Sequence, residues 1–283
     1  MRKDLHEQNR RSWNHATVAH NSHKGDQASF FRGGGSTLNP EELELLGDVR
    51  GLRVVHLQCN AGQDSLSIAA LGAEVIGVDI ADEAIAAATR LAADSGIAAR
   101  FERADVYDWL EVAPPGSADI AFASYGALCW LSDLGTWAAG VARLLAPGGR
   151  LVVMEFHPAL YLLDERDGAI VMAASRTDRI WHVPEGIGDY VAQSGEGLAR
   201  DGFEPGIQDF HNPEPSAEFC WTLGERVDAI ARAGLVIERL REWPYANGCR
   251  LFSQMIDAGH GRWVLPPGLP PVPLMYGLSA RRA

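Results

Sequence analysis

Two aspartates and one turn, each closing an apolar run, carry the first recognisable chemistry. The run LRVVHLQ (52–58) leads into His56-Leu57-Gln58-Cys59-Asn60-Ala61-Gly62-Gln63-Asp64. A second run, AEVIGVD (73–79), ends at Asp79, 19 residues after Asn60. A third, ARFERAD (99–105), ends at Asp105, with Val106 and Tyr107 next. Open α/β sheets bind ligands beyond the carboxyl ends of their strands. A carboxylate at the second strand end can accept hydrogen bonds from both hydroxyls of a ribose. One at the third can accept from the exocyclic amine of adenine. Asp is an ordinary helix cap, so any one of these is weak. Three in register point to an adenosine-containing ligand.

The turn narrows that ligand. A dinucleotide site needs G-x-G-x-x-G, so that backbone amides and a helix N-terminus hold pyrophosphate. Here Gln58 and Asn60 stand at the first two glycine positions, and Asp64 sits where the helix begins and would repel phosphate. S-adenosylmethionine (SAM) has no phosphate, and its sulfonium and ammonium suit nearby acceptors. Asn tolerates positive φ better than other non-glycine residues, so the turn stays feasible. The chain has only two lysines, Lys3 and Lys24, and neither a Tyr-x-x-x-Lys pair nor a Walker A lysine.

The elements that must position these groups follow a strand–helix rhythm. Strands are expected at 52–58, 73–79, 99–105, 118–124 and 150–157, with helices at Asp64–Leu71, Asp82–Ser95 and Asp133–Leu145 between them. Such alternation implies βαβ units and a parallel sheet. A further helix (222–234), a strand (235–243), a proline-rich extended stretch (259–273) and a last strand (273–282) follow. Residues 1–46 are polar with scattered aromatics and are expected to form a cap or lid, with Pro40–Leu46 helical. The rhythm breaks at about 160–220, a length of irregular chain that is usually functional or locally structured.

HLQCNAGQD, GVDIADEAI, ADVYDW and LAPGGRLVVME resemble the successive motifs of class I SAM-dependent methyltransferases, closely over 45–160 and in outline over 222–282. The resemblance implies a Rossmann-like fold: a mostly parallel seven-stranded sheet, helices on both faces and an antiparallel last strand. It makes 47–283 the methyltransferase domain, with a substrate-side insert at about 160–220. It places Gln58, Asn60 and Gly62 along the methionine part of SAM, Asp79 and Ile80 at the ribose, Asp105 and Val106 at the adenine, and Ser124 beneath the sulfonium. The product would be S-adenosylhomocysteine (SAH). Two departures stand out: His56 replaces the usual strand-end acid, and Gln58 and Asn60 replace glycines. The chain looks most like bacterial small-molecule enzymes, among them those that methylate indole-type natural products of secondary metabolism.

Methyl transfer rests on positioning, and a general base is needed only if the acceptor must lose a proton early. His157, in Glu155-Phe156-His157-Pro158, is the candidate base; otherwise it is a histidine bonded to backbone beside Pro158. Ser124-Tyr125-Gly126-Ala127 replaces the Asp/Asn-Pro-Pro-Tyr of adenine-N6 and glutamine enzymes. Tyr125, Trp130, Trp181, Tyr190 and Trp221 could wall an aromatic or cationic acceptor, and Asp189, Asp209 and Glu218 could hold an amine. His20 and His23 sit close together, but no ligand set for a metal accompanies them.

The net charge of −12 argues against nucleic acid, because phosphate binding needs a basic stripe. No apolar run approaches a membrane span. The four cysteines are widely spaced, which suits a reduced cytoplasm. The expected partner is therefore a small-molecule acceptor, with the N-terminal segment as lid or homo-oligomer contact. The alternatives are a nicotinamide oxidoreductase, a SAM-binding protein without turnover, and a methyltransferase acting on protein.

Overall fold

The computed structural model describes residues 1–173 and 178–283. Residues 174–177, part of the expected insert, lie outside the described residues. The N-terminal segment supplies α1 (Lys3–Ser22), α2 (Gln27–Arg32) and α3 (Pro40–Leu46). The alternating half follows as β1 (Arg53–Leu57), α4 (Gln63–Ala70), β2 (Glu74–Asp79), α5 (Asp82–Ser95), β3 (Arg100–Arg103), α6 (Val106–Val112), β4 (Ala118–Ser124), α7 (Leu134–Leu144) and β5 (Leu145–Phe156). The expected insert holds two antiparallel strand pairs, β6 (Leu163–Arg166) with β7 (Ala169–Met172) and β8 (Ile180–Val183) with β9 (Ser216–Phe219), and α8 (Tyr190–Ser194). Then come α9 (Leu223–Arg232), β10 (Leu235–Trp243), a small sheet of β11 (Tyr245–Asn247), β12 (Ile256–Asp257) and β13 (Arg262–Val264), and β14 (Met275–Arg282).

The main sheet has seven strands in the order β10-β14-β5-β4-β1-β2-β3. β14 pairs antiparallel with both β10 and β5, and the other pairings are parallel. The expected fold class is what the chain adopts. Strand order reverses beside β1, which opens the crevice at its carboxyl end.

The central strands are apolar throughout because both faces are covered. On one face Leu57, Val78, Ala121, Leu151 and Val153 pack under Trp109, Trp137 and Val141 of α6 and α7. On the other, Val54, Val75, Ile120, Phe122 and Met154 pack under Leu45, Leu46 and Ile68 of α3 and α4. Local chemistry sets the helix ends. Asp133 caps α7 by accepting from Thr136 N at 2.9 Å. Thr222 and Glu225 form a capping box on α9, and Gly96, with φ 74°, stops α5.

α1 was expected only as a polar cap, and its regularity is a finding. Its buried face is His6, Asn9, Ser12, Thr17 and His20 with Leu5, Ala16 and Ala19. Side-chain bonds pin it down. Asn9 Nδ2 donates to Ala217 O at 2.9 Å, Arg10 pairs with Asp82, and Asn14 Nδ2 donates to Asp82 Oδ2 at 3.0 Å.

Candidate active site

The turn after β1 takes the left-handed conformation three times, at Gln58 (φ 57°), Asn60 (φ 49°) and Gly62 (φ 79°). Only the last is glycine, and there a Cβ would lie 2.7 Å from Ala88 Cβ and 2.8 Å from the Phe101 ring. Side chains stabilise the other two. Asn60 Oδ1 accepts from Ala61 N at 2.6 Å, and Gln58 Nε2 donates to Ala127 O at 2.6 Å. Gln58 Oε1 is buried without a partner.

Asp79 Oδ2 accepts from Asn60 N at 2.8 Å, tying the turn to β2, and Oδ1 accepts from Ala81 N at 2.8 Å. Burial raises its pKa, against the pull of these amides. Asp105 caps α6 through Tyr107 N at 2.9 Å. Its Oδ2 lies 2.7 Å from His6 Nδ1 and 3.0 Å from Lys3 Nζ. Burial alone would raise the Asp105 pKa, but these partners hold it below its ordinary value. The His6 ring stacks on Tyr107 with centroids 5.3 Å apart.

Ser124 Oγ lies 3.2 Å from His56 Nε2 and donates to Asp64 Oδ2 at 3.2 Å. Asp64 also accepts from Thr37 Oγ1 at 2.6 Å. His56 is fully enclosed, and burial pushes its pKa down to about 4, so it is neutral. It thus replaces the expected strand-end acid with a polar strut between Ser65 and Ser124.

These strand ends open into one cavity of about 660 Å³ that also crosses the ends of β4 and β5. Gln58, Asn60, Asp79, Ile80, Asp105, Val106 and Ser124 line it, whereas Gly62 faces Ala88 and Phe101 instead. From above, α1 closes it with His6, Asn9, Trp13 and His20. Trp13 meets Trp130 edge-on at 5.5 Å and Tyr190 at 6.4 Å.

Beyond Ser124 the backbone is strained at Tyr125, with φ 29°, and Gly126 follows at φ 74°, which glycine adopts freely. Glu155, buried at the end of β5, holds this turn. Its carboxylate accepts from Gly126 N, from Leu128 N at 2.8 Å and from Phe156 N at 2.8 Å. Neither Glu155 nor His6 stood out in the sequence, although Glu155 closes an apolar strand as Asp79 does.

Among the aromatic candidates, Tyr125, Trp130, Trp181 and Tyr190 line the cavity. Tyr190 lies towards the cofactor turn, where it bonds the Asn60 side chain and packs on His20 at 4.0 Å. Trp221 is not brought to the cavity. Its ring packs into the core beneath Arg179, and Nε1 donates to Leu131 O at 2.7 Å. Of the acids, Glu218 lines the cavity, Asp189 binds His23 Nε2 at 2.8 Å, and Asp209 is exposed.

Of the two readings open for His157, the geometry favours the bond to backbone beside Pro158. His157 lines the cavity, but Nδ1 accepts from Ala159 N at 2.9 Å and Nε2 lies 2.8 Å from Glu242 Oε1. The ring therefore carries its neutral-form proton on Nε2 and has no free lone pair to take one from an acceptor. Burial lowers its pKa. The geometry is that of an N-cap for residues 158–162.

The profile of the family described as "Methyltransferase domain" matches residues 54–149. A ubiquinone biosynthesis O-methyltransferase of Xanthomonas euvesicatoria is 32% identical over 222 residues, 77% of this chain and 79% of its own. The chain belongs to the class I SAM-dependent methyltransferases. This methyltransferase also matches a demethylmenaquinone methyltransferase of Thermus thermophilus, 36% identical over 108 residues, 38% of this chain and 48% of that one. A solved SAM-dependent methyltransferase from Mesorhizobium loti shares its fold with TM-score 0.57 and 23% identity, covering 88% of this chain and 99% of the other. The cofactor is SAM, and the nicotinamide alternative falls with the same matches. Among the described residues, no helix is long and apolar enough to cross a membrane, and no group of three or more His, Cys, Asp or Glu could hold a metal ion.

Proposed function

We propose that this methyltransferase methylates a small aromatic acceptor, of the kind found in secondary metabolism, at an oxygen, nitrogen or carbon. One observation carries the reading: a single cavity joins the adenosine-type acceptors at β1, β2 and β3 to the aromatic walls of Tyr125, Trp130, Trp181 and Tyr161. The O-methyltransferase name of the Xanthomonas relative favours an oxygen.

The residues at the cofactor end fit SAM. Gln58 Oε1 is an unpartnered acceptor suited to the ammonium. Asp79 keeps lone pairs for the ribose beyond those taken by Asn60 N and Ala81 N. Asp105 offers an acceptor for adenine, with Ile80 and Val106 as apolar flanks and Ser124 beside the sulfonium. SAM supplies an activated methyl group, already poised for in-line displacement. The chain's contribution is orientation and exclusion of water, which can be worth ~7–11 kcal/mol. The strained turn at Tyr125, fixed by Glu155, sets the wall on which the acceptor rests. Residues 1–46 act as the lid, because His6 reaches Asp105 and Trp13 roofs the cavity. Residues 47–283 form the catalytic domain. Its four cysteines, widely spaced in the sequence, suit a reducing cytoplasm.

The test is incubation with methyl-labelled SAM and a panel of phenols, indoles and aromatic amines, followed by mass spectrometry. Label should appear on an aromatic acceptor. SAM binding with no transfer to any member would return the chain to a binding role.

A further inference from the structure

The far end of the same cavity holds a cation that the fold does not explain. Arg226, in the second turn of α9, lines the cavity with 3% of its surface exposed. Nη1 donates to Tyr276 Oη at 3.1 Å and to Phe156 O at 3.3 Å, and the guanidinium lies 5.6 Å from the centre of the Tyr276 ring. Nε is buried without a partner. The Glu155 carboxylate attracts the guanidinium through space. The adjacent acid, Glu155, has its oxygens turned to the amides of Gly126, Leu128 and Phe156. The Arg226 Nε–H is thus a buried donor with no acceptor, which folded proteins rarely leave unmet.

We infer that Arg226 is the recognition site for a carboxylate on the methyl acceptor. The inference rests on the proposed small-molecule reading. With Nη1 held by Tyr276 and Phe156, the Nε–Nη2 edge remains, and that edge takes a planar carboxylate side-on through two parallel hydrogen bonds. One positive charge, with Glu155 nearby, matches a monoanion better than a phosphate. The carboxylate of SAM is not the ligand. Arg226 bonds the end of β5, whereas the turn that faces the methionine part follows β1, two strands away in the sheet order. At ~4.8 Å per strand that separation is about 10 Å. Tyr125 and Ser124, at the end of β4, lie between the two. A carboxylate anchored at Arg226 would thus direct the remainder of the acceptor back towards Ser124.

The test uses the full chain loaded with SAH and titrated calorimetrically with matched pairs: 4-hydroxybenzoate against 4-hydroxybenzamide, and indole-3-acetate against indole-3-acetamide. At least one acid should bind about tenfold or more tighter than its amide. R226Q should erase that preference, leave SAH affinity unchanged and still unfold cooperatively. The inference is overturned if no acid binds, if acids and amides bind alike, or if R226Q keeps the preference. Loss of SAH affinity together with a lower melting temperature in R226Q would assign Arg226 to the scaffold and also overturn it. Failure of the wild-type chain to bind SAH would instead refute the cofactor reading.

Discussion

Replacing Glu42 with Gln should stabilise this methyltransferase, increasingly so as pH rises. Glu42, on α3, has 0% exposure. Oε2 accepts from Asn39 N to complete the capping box, while Oε1 has no partner. Burial first, and then the charge of Asp64, push its pKa from 4.5 up to about 8. A carboxyl whose folded pKa is raised contributes full stability below its unfolded pKa. That contribution is lost as pH climbs through the window from 4.5 to about 8. At ~1.4 kcal/mol per unit, the whole window is worth roughly 4–5 kcal/mol. Gln keeps the acceptor for Asn39 N and has nothing to ionise. Urea unfolding of E42Q and wild type from pH 5 to pH 8.5 should show a difference near ~1 kcal/mol at the acid end, growing to about 4 kcal/mol at the alkaline end. A difference that does not change with pH, or a wild type more stable throughout, would refute the reasoning that this carboxyl is forced neutral by its surroundings.

Two further predictions concern the scaffold. His157→Asn, which can still accept from Ala159 N, should retain most turnover, whereas His157→Ala should lower stability by about 1 kcal/mol through loss of the cap; a folded H157N without activity would restore His157 as a base. Phe122→Ala, at a fully buried position between β4 and the α3–α4 face, should cost roughly 3–5 kcal/mol in denaturant unfolding; a loss below ~1 kcal/mol would mean that this layer is not the packed core.

The parallel core was legible because its strands are apolar runs bounded by Gly, Pro and Asp, and both sheet faces demand such runs. α1 was not, because the face it buries is made of His6, Asn9, Ser12, Thr17 and His20, so no apolar stripe marks its period. The short strands of the 160–220 stretch escaped notice because they are only four residues long and pair outside the main sheet. In the site, Asp79 and Asp105 were readable from adenosine chemistry at strand ends. Arg226 was not, and neither was the buried Glu42 of α3, which lies outside the cavity lining. Each sits on a helix that reads as an ordinary surface helix, and only tertiary packing turns it inward. Trp221 is the reverse case: a large aromatic near the site by sequence, which lies outside the cavity lining with its indole bonded to Leu131. His157 shows that a histidine at a strand end can cap the backbone that follows it.

Calorimetric titration of SAH into wild type and Asp79→Ala addresses the placement of the cofactor. Asp79 both receives the ribose in the proposed arrangement and ties Asn60 to β2. The wild type should bind, and the variant should bind about tenfold more weakly or worse while unfolding cooperatively. Equal affinity in the two proteins would contradict a cofactor site at the ends of β1 and β2.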